Sequence, residues 1–261
     1  MATKLKVVVV GAGSGIGAAT AELLHDRGHH VVAVDLRQGE ARAAERRVCD
    51  LRDPASIQDL VESLGDGWDV LAHVAGLPGT APALDVLTVN YLGFRLMAEG
   101  LLPRMSRGGA IVGVASTAGI AWPNRIAALS GLLSATDADA IAEWQATQDP
   151  AYPVYSTSKE AAIIYARQLA ATAWEEYGVR VNTVSPGPVH TPILEDFEAT
   201  MGKDTLDYVR STVGRHGDVN DIAPVIAFLS SPEARWVNGQ DIQVDGGFIT
   251  GVAVQMAAAG A

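Results

Sequence analysis

The chain has 261 residues and a formal charge of −11, from 30 acidic side chains against 19 lysines and arginines. That length suffices for one large α/β domain, expected over 1–261, and that charge argues against nucleic acid or an anionic membrane as partner, since the surface repels both. A single cysteine, Cys49, excludes an intrachain disulfide and suits a reducing compartment, so a cytoplasmic location is expected.

The β-branched run at 5–10 reads as a strand, too short for a targeting segment or a membrane span. It runs directly into Gly11-Ala12-Gly13-Ser14-Gly15-Ile16-Gly17, which opens a helical pattern over 16–27. Small residues at such a turn let the backbone approach a pyrophosphate, and the helix N-terminus offers unpaired N–H donors and a positive dipole end. Gly11, Ser14, Gly15, Ile16 and Gly17 are therefore candidate dinucleotide-binding residues.

A second strand at 31–34 ends at Asp35-Leu36, about twenty residues past the turn, where a carboxylate accepts hydrogen bonds from ribose hydroxyls and repels a 2′-phosphate. NAD is expected over NADP, although Arg37 could serve a 2′-phosphate. Arg42, Arg46 and Arg47, interrupted by Glu40 and Glu45, read as a solvated helix face, and Cys49 reads as core packing. His25, His29 and His30 around Gly28 have no spaced carboxylate or cysteine partner, so no metal site is expected.

Further on come a helix at 54–64, a strand at 70–74, a helix at 84–105 and a strand at 111–114 that leads into Ser116. Helix 156–177, strand 179–184, helix 221–229 and strand 242–244 complete the alternation, which predicts a doubly wound parallel sheet of Rossmann type with ligands beyond the carboxyl ends of its strands. Tyr155 and Lys159 stand four residues apart on one helix face, so the ammonium can sit beside the phenol and favour its ionised form. Tyr155 is thus a candidate general acid/base.

With the glycine turn, Ser116, Tyr155 and Lys159 in this order, the chain resembles the short-chain dehydrogenase/reductase family over nearly its whole length. The resemblance implies a catalytic set of Ser116, Tyr155, Lys159 and Asn90, with Ser116 holding the substrate oxygen, Lys159 binding the nicotinamide ribose and lowering the Tyr155 pKa, and Asn90 positioning a water. It also implies Asp50-Leu51 at the adenine, Ala75-Gly76 at the end of the family's N-N-A-G motif, and Pro186, Gly187, Val189 and Thr191 at the nicotinamide. His73-Val74 stands where that motif usually has two asparagines; His73 is read as a packed strand residue. Each member has a plainer alternative: Ser116 could satisfy a strand end, Asn90 cap or kink its helix, and Thr191 cap the next one.

Thirty-nine positions separate Ser116 from Tyr155, far more than the family usually uses. The additional segment, about 120–151, has helical character over 137–148 and is too apolar for an idle loop. It covers the active-site mouth or reshapes the helical surface through which these proteins commonly oligomerise; the latter leaves a homodimer rather than a homotetramer. A long segment here resembles the subgroup containing coniferyl-alcohol and 3α-hydroxysteroid dehydrogenases. Ser116, Ile120, Trp122, Tyr152, Val189 and Phe197 form the expected substrate wall, together with a loop at 188–215, and suit a bulky, mostly hydrophobic alcohol, aldehyde or ketone. A nucleotide-sensing protein that has lost catalysis is the rival from another class, disfavoured by the intact Ser116, Tyr155 and Lys159.

Overall fold

The computed structural model describes residues 4–191 and 194–259, without the side chains of Glu195, Phe197 and Met201. Its seven strands are β1 (Lys6–Val10), β2 (His30–Asp35), β3 (Glu45–Val48), β4 (Trp68–His73), β5 (Met105–Val114), β6 (Arg180–Pro186) and β7 (Asp241–Val244). They form one sheet in the order β3-β2-β1-β4-β5-β6-β7, every pair parallel.

Parallel neighbours need crossovers, which all but the β2–β3 link make through helices. The helices are α1 (Gly15–Asp26), α2 (Pro54–Leu64), α3 (Ala83–Leu87), α4 (Phe94–Leu101), α5 (Ser130–Ser134), α6 (Ala138–Gln145), α7 (Val154–Thr172), α8 (Leu194–Met201), α9 (Lys203–Val213), α10 (Val219–Ser230) and α11 (Phe248–Ala259). The sheet is covered on both faces, which is why β1 reads Val-Val-Val-Val without a polar alternate. Val8, Leu71 and Ile111 pack on one side with Leu60, Met97 and Ile164; Val7, Val70 and Val112 pack on the other with Leu24, Ile222 and Ile226. The strand order reverses between β1 and β4, and a cleft opens at their carboxyl ends.

Two expectations need correction. Arg46 and Arg47 lie on β3, the sheet's outermost strand, rather than on a helix face. A charged edge strand carries no apolar alternation, and its charges discourage edge-to-edge pairing with other chains. The helix expected over 84–105 is broken into α3, a π-helical turn (Thr88–Gly93), α4 and a 3-10 turn (Leu102–Arg104), and Met105 already belongs to β5. Pro103 cannot donate to a preceding carbonyl, which ends the helix there.

The segment at 120–151 builds a 3-10 turn (Trp122–Asn124), α5 and α6 against α3, α7 and the π-helical turn. Leu129, Leu132 and Ile141 are completely buried in that contact. Asp137 caps α6 by accepting from Ala140 N at 2.8 Å. Arg95 donates to the carbonyls of Leu133 and Ala135 at 3.0 and 2.9 Å, and the Tyr91 hydroxyl donates to Leu133 O at 3.1 Å. The segment therefore adds a layer on the helices.

Candidate active site

The glycine turn is shaped by contacts that leave no room for side chains. Gly11 has φ +86°, and a Cβ there would lie 2.4 Å from Ala75 N; at Gly17 it would lie 1.9 Å from the Gly11 carbonyl oxygen. Gly11 N and Ala12 N both donate to Val34 O, which ties the turn to β2. Ser14, the N-cap of α1, makes no side-chain cap bond, so the first N–H groups of the helix face the cleft. The Asp35 carboxylate accepts from Gly13 N at 2.8 Å and from Arg37 N at 3.4 Å.

These residues line a cleft of about 340 Å³ that brings together Gly11, Ser14, Gly15, Ile16, Gly17, Asp35, Leu36, Asp50, Leu51, Ala75, Gly76 and Thr191. Arg52, which the sequence reading missed, joins them and grips Asp50 through Nε (3.0 Å) and Nη2 (2.7 Å). That fork holds the Asp50 carboxyl below its usual range. Cys49 also lines this cleft; burial pushes its thiol up and keeps it protonated.

A second cleft of about 90 Å³ shares Ile16, Val74, Gly76, Leu77 and Thr191 with the first and is therefore continuous with it. Its walls carry Ser116, Tyr155, Lys159, Pro186, Gly187 and Val189. Ser116 stands just beyond β5, where its Oγ accepts from Ala118 N at 3.2 Å, and its hydroxyl hydrogen-bonds the Tyr155 phenol. Lys159 donates from Nζ to Val114 O at 3.0 Å, with Nζ 5.5 Å from the Tyr155 ring centre. A methyl group at Gly76 would stand 3.3 Å from that Nζ, so the glycine keeps the ammonium's approach to the cleft open.

Electrostatics differ from expectation. Burial pushes Tyr155 up to about 12, the Ser116 hydrogen bond opposing it, and burial pulls Lys159 down to about 8. Desolvation is the leading cause for both groups, so Tyr155 lies above its ordinary value where the neighbouring lysine was expected to lower it. His73 lies behind the site, buried, with its ring centre 5.1 Å from that of Phe94. Burial, then the Lys159 charge, drives it to about 3, so it stays neutral.

Asn90 sits on the π-helical turn with both amide hydrogens spent, on Leu77 O (3.0 Å) and Ser158 Oγ (3.0 Å), while its Oδ1 accepts from Leu77 N at 2.7 Å. Its side chain thus pins Leu77, in the 76–80 loop, to α7. A π-helical turn widens the helix by one residue and re-aims the side chains on it.

The expected substrate wall divides. Ser116 and Val189 line the second cleft, but Ile120, Trp122 and Tyr152 do not. Ile120 is exposed, the Trp122 indole lies under the Arg167 guanidinium at 4.4 Å, and Tyr152 turns onto Arg125 and Glu160. Tyr152 lines a separate crevice of about 620 Å³ between α6 and the start of α7. The side chain of Phe197 lies outside the described residues. Above the cleft, α8 is tied to the 76–80 loop by Thr80 Oγ1 donating to Asp196 Oδ1 at 2.6 Å. Among the described residues no helix is long and apolar enough to cross a membrane, and no group of three His, Cys, Asp or Glu side chains could hold a metal.

A glycine cradle that a Cβ would fill, an uncapped helix end and a carboxylate at the second strand fit a nicotinamide dinucleotide, and the joined cleft ends on a hydroxyl, a phenol and an amine. Such a fold and site define a dinucleotide-dependent oxidoreductase. Residues 5–128 match the short chain dehydrogenase family model, and residues 142–249 match a model described as Enoyl-(Acyl carrier protein) reductase. The chain is 36% identical over 247 residues to coniferyl-alcohol dehydrogenase of Pseudomonas sp., covering 94% of this chain and 96% of that one. It is 34% identical to 3-alpha-hydroxysteroid dehydrogenase/carbonyl reductase of Comamonas testosteroni, covering 92% and 95%. Among solved structures, a 3-alpha-hydroxysteroid dehydrogenase from Pseudomonas sp. complexed with NADH superposes with a TM-score of 0.80 at 32% identity, covering 92% of this chain and 95% of that one. The chain belongs to the short-chain dehydrogenase/reductase family.

Proposed function

We propose that this oxidoreductase uses NAD to interconvert a bulky, mostly hydrophobic alcohol and its aldehyde or ketone, an aromatic alcohol of the coniferyl kind in the first place. The observation that carries the reading is the continuity of the two clefts: the dinucleotide cradle opens directly onto Ser116, Tyr155 and Lys159. The NAD preference rests on Asp35, fixed by Gly13 N at the mouth of the cleft, where its charge opposes a 2′-phosphate. A 3α-hydroxysteroid is the second reading, favoured by the likeness to the NADH-complexed structure.

When bound, the nicotinamide supplies the hydride acceptor or donor. The chain's own residues handle the oxygen and its proton. Ser116 holds the substrate oxygen by a hydrogen bond and stabilises its developing charge, and Tyr155 exchanges the proton with it. Lys159, anchored on Val114 O, keeps its remaining N–H bonds for the ribose side of the cleft. Asn90 holds Leu77 and Ser158 and so fixes the loop that faces both clefts. A phenol raised to about 12 is fully protonated at neutral pH, so Tyr155 is poised as an acid for carbonyl reduction, and alcohol oxidation gains with rising pH.

Because the segment at 120–151 covers the helical surface beside α4 and α7 and buries Leu129, Leu132 and Ile141 there, we read the assembly as a dimer rather than a tetramer. The test of function is NADH formation from coniferyl, cinnamyl and benzylic alcohols and 3α-hydroxysteroids, with NADP in parallel and Tyr155→Phe as control. Turnover with NAD that vanishes in the variant supports the reading, and the preferred alcohol chooses between substrate classes. Dinucleotide binding without turnover across the panel and its ketone counterparts sinks it.

A further inference from the structure

Glu160 follows Lys159 in α7, and its side chain is 0% exposed. A carboxylate so buried needs partners, and it has two, both supplied from the chain ahead of α7. Arg125 donates from Nε to Oε2 at 3.3 Å, and the Tyr152 hydroxyl donates to Oε1 at 2.5 Å. The Arg125 guanidinium also lies 3.9 Å above the Tyr152 ring centre, which closes a triangle of three side chains. Burial, then the bond to Glu160, pushes Tyr152 up to about 12, so it remains a donor.

The place of this triangle gives it a use. α7 carries Tyr155 in its first turn, yet its N-cap is Pro153, with no side-chain cap bond. The entry of the helix is held instead by Tyr152, immediately before the cap, reaching a residue eight positions on. The strand of chain bearing Arg125 is seated close by: a Cβ on Gly119 would come within 3.0 Å of the Lys159 carbonyl carbon and 3.1 Å of Glu160 N. Displacement at the start of α7 moves Tyr155 relative to Ser116, which stands on a different element. A misplacement of reacting groups by about 1 Å costs on the order of a hundredfold in rate.

We propose that Arg125, Glu160 and Tyr152 form a positioning clip that locks the uncapped entry of α7 and so holds Tyr155 against Ser116. The effect on turnover rests on the function proposed above; the clip itself does not. Tyr152→Phe removes one hydroxyl and leaves the ring under Arg125, whereas Glu160→Gln keeps an acceptor for Tyr152. In Tyr152→Phe we expect kcat to fall about tenfold while KM for NAD stays within about twofold, with Glu160→Gln within about threefold of the parent kcat. Amide hydrogen exchange over 157–161, whose N–H groups bond back to the helix entry, should rise about tenfold in Tyr152→Phe and not in Glu160→Gln, with residues 165–172 unchanged in both. Unchanged exchange over 157–161 in Tyr152→Phe overturns the clip whatever the activity. Faster exchange with an unaltered kcat overturns its role in positioning Tyr155. A parent enzyme that turns over no alcohol defeats the proposed function, and the exchange measurement still decides the clip.

Discussion

Main chain shapes the cleft over β1, β2 and β4, whereas side chains shape the region around the 120–151 segment. In the first, glycines at 11 and 17 are required because the space belongs to Ala75 N and the Gly11 carbonyl oxygen. In the second, Trp122 pairs with Arg167, and Tyr152 and Arg125 pair with Glu160. The contrast teaches that binding of a constant ligand part is built into backbone geometry, which few residue types permit, while the surroundings of the variable part rest on side-chain pairings that many sequences could supply.

Tyr155 stands where the two regions meet, and its replacement should have the largest effect. Tyr155→Phe keeps the ring and removes the proposed proton donor, so kcat should fall about 10²- to 10⁴-fold while dinucleotide affinity stays within about twofold. Steady-state rates and a binding titration on the same preparation check this. A small drop in kcat would transfer the proton role elsewhere and dissolve the distinction at its centre.

Gly17→Ala tests the backbone-shaped side. A methyl carbon would meet the Gly11 carbonyl oxygen at 1.9 Å, and main-chain atoms cannot step aside as a flexible side chain would. A loss of about 3 kcal/mol in stability is expected, together with the loss of dinucleotide binding. Chemical denaturation and a titration with NADH measure the two parts. Retention of both would show that the turn yields, and the main chain would no longer define that half of the cleft.

Lys159 couples the halves at a cost in stability. Its folded pKa, about 8, lies below the ordinary value of 10.5, so between those values the unfolded chain holds a proton that the native chain sheds. Stability from this residue therefore rises with pH through that window, and the full penalty of burying the charge applies below it. Against Lys159→Met, the parent should gain about 2 kcal/mol between pH 8 and pH 10 in denaturant unfolding. Above pH 10 Tyr155 counts in the opposite sense, because its folded pKa of about 12 exceeds its ordinary 10.0. Parallel stability curves for the two proteins would mean that Lys159 is not desolvated.

The same division explains what the sequence disclosed. A run of valines entering Gly11-Ala12-Gly13 permits few structures, so the first strand, the turn and the helix behind it are legible from residue types alone. So is the spacing of Tyr155 and Lys159 on one helix. The charged strand β3 was not, because an edge strand exposed on its outer side needs no apolar alternation. Nor was the π-helical turn at Asn90, since one added residue within a helix leaves the local composition unchanged. Chain proximity to Ser116 and Tyr155 makes Trp122 and Tyr152 look like pocket lining; the structure sends Trp122 to Arg167 and Tyr152 to Glu160, partners 45 and 8 positions away in the chain. Arg52 left no signal beyond being next but one to Asp50.

Trp122 provides the finest test, because its expected effect is the smallest and its failure would be the most instructive. The indole is partly buried beneath the Arg167 guanidinium at 4.4 Å and does not line the cleft that holds Ser116 and Tyr155, so we expect it to contribute packing rather than substrate contact. Trp122→Phe keeps an aromatic face for that cation and should cost about 1 kcal/mol of stability or less. Relative kcat/KM across the alcohol panel should move by no more than about twofold, since a side chain that does not touch the substrate cannot distinguish one substrate's transition state from another's. A change of preference between cinnamyl alcohols and steroids in this variant would place the indole at the substrate after all. The 120–151 segment would then be a wall of the site, and the boundary between backbone-shaped and side-chain-shaped regions would run through the catalytic cleft instead of beside it.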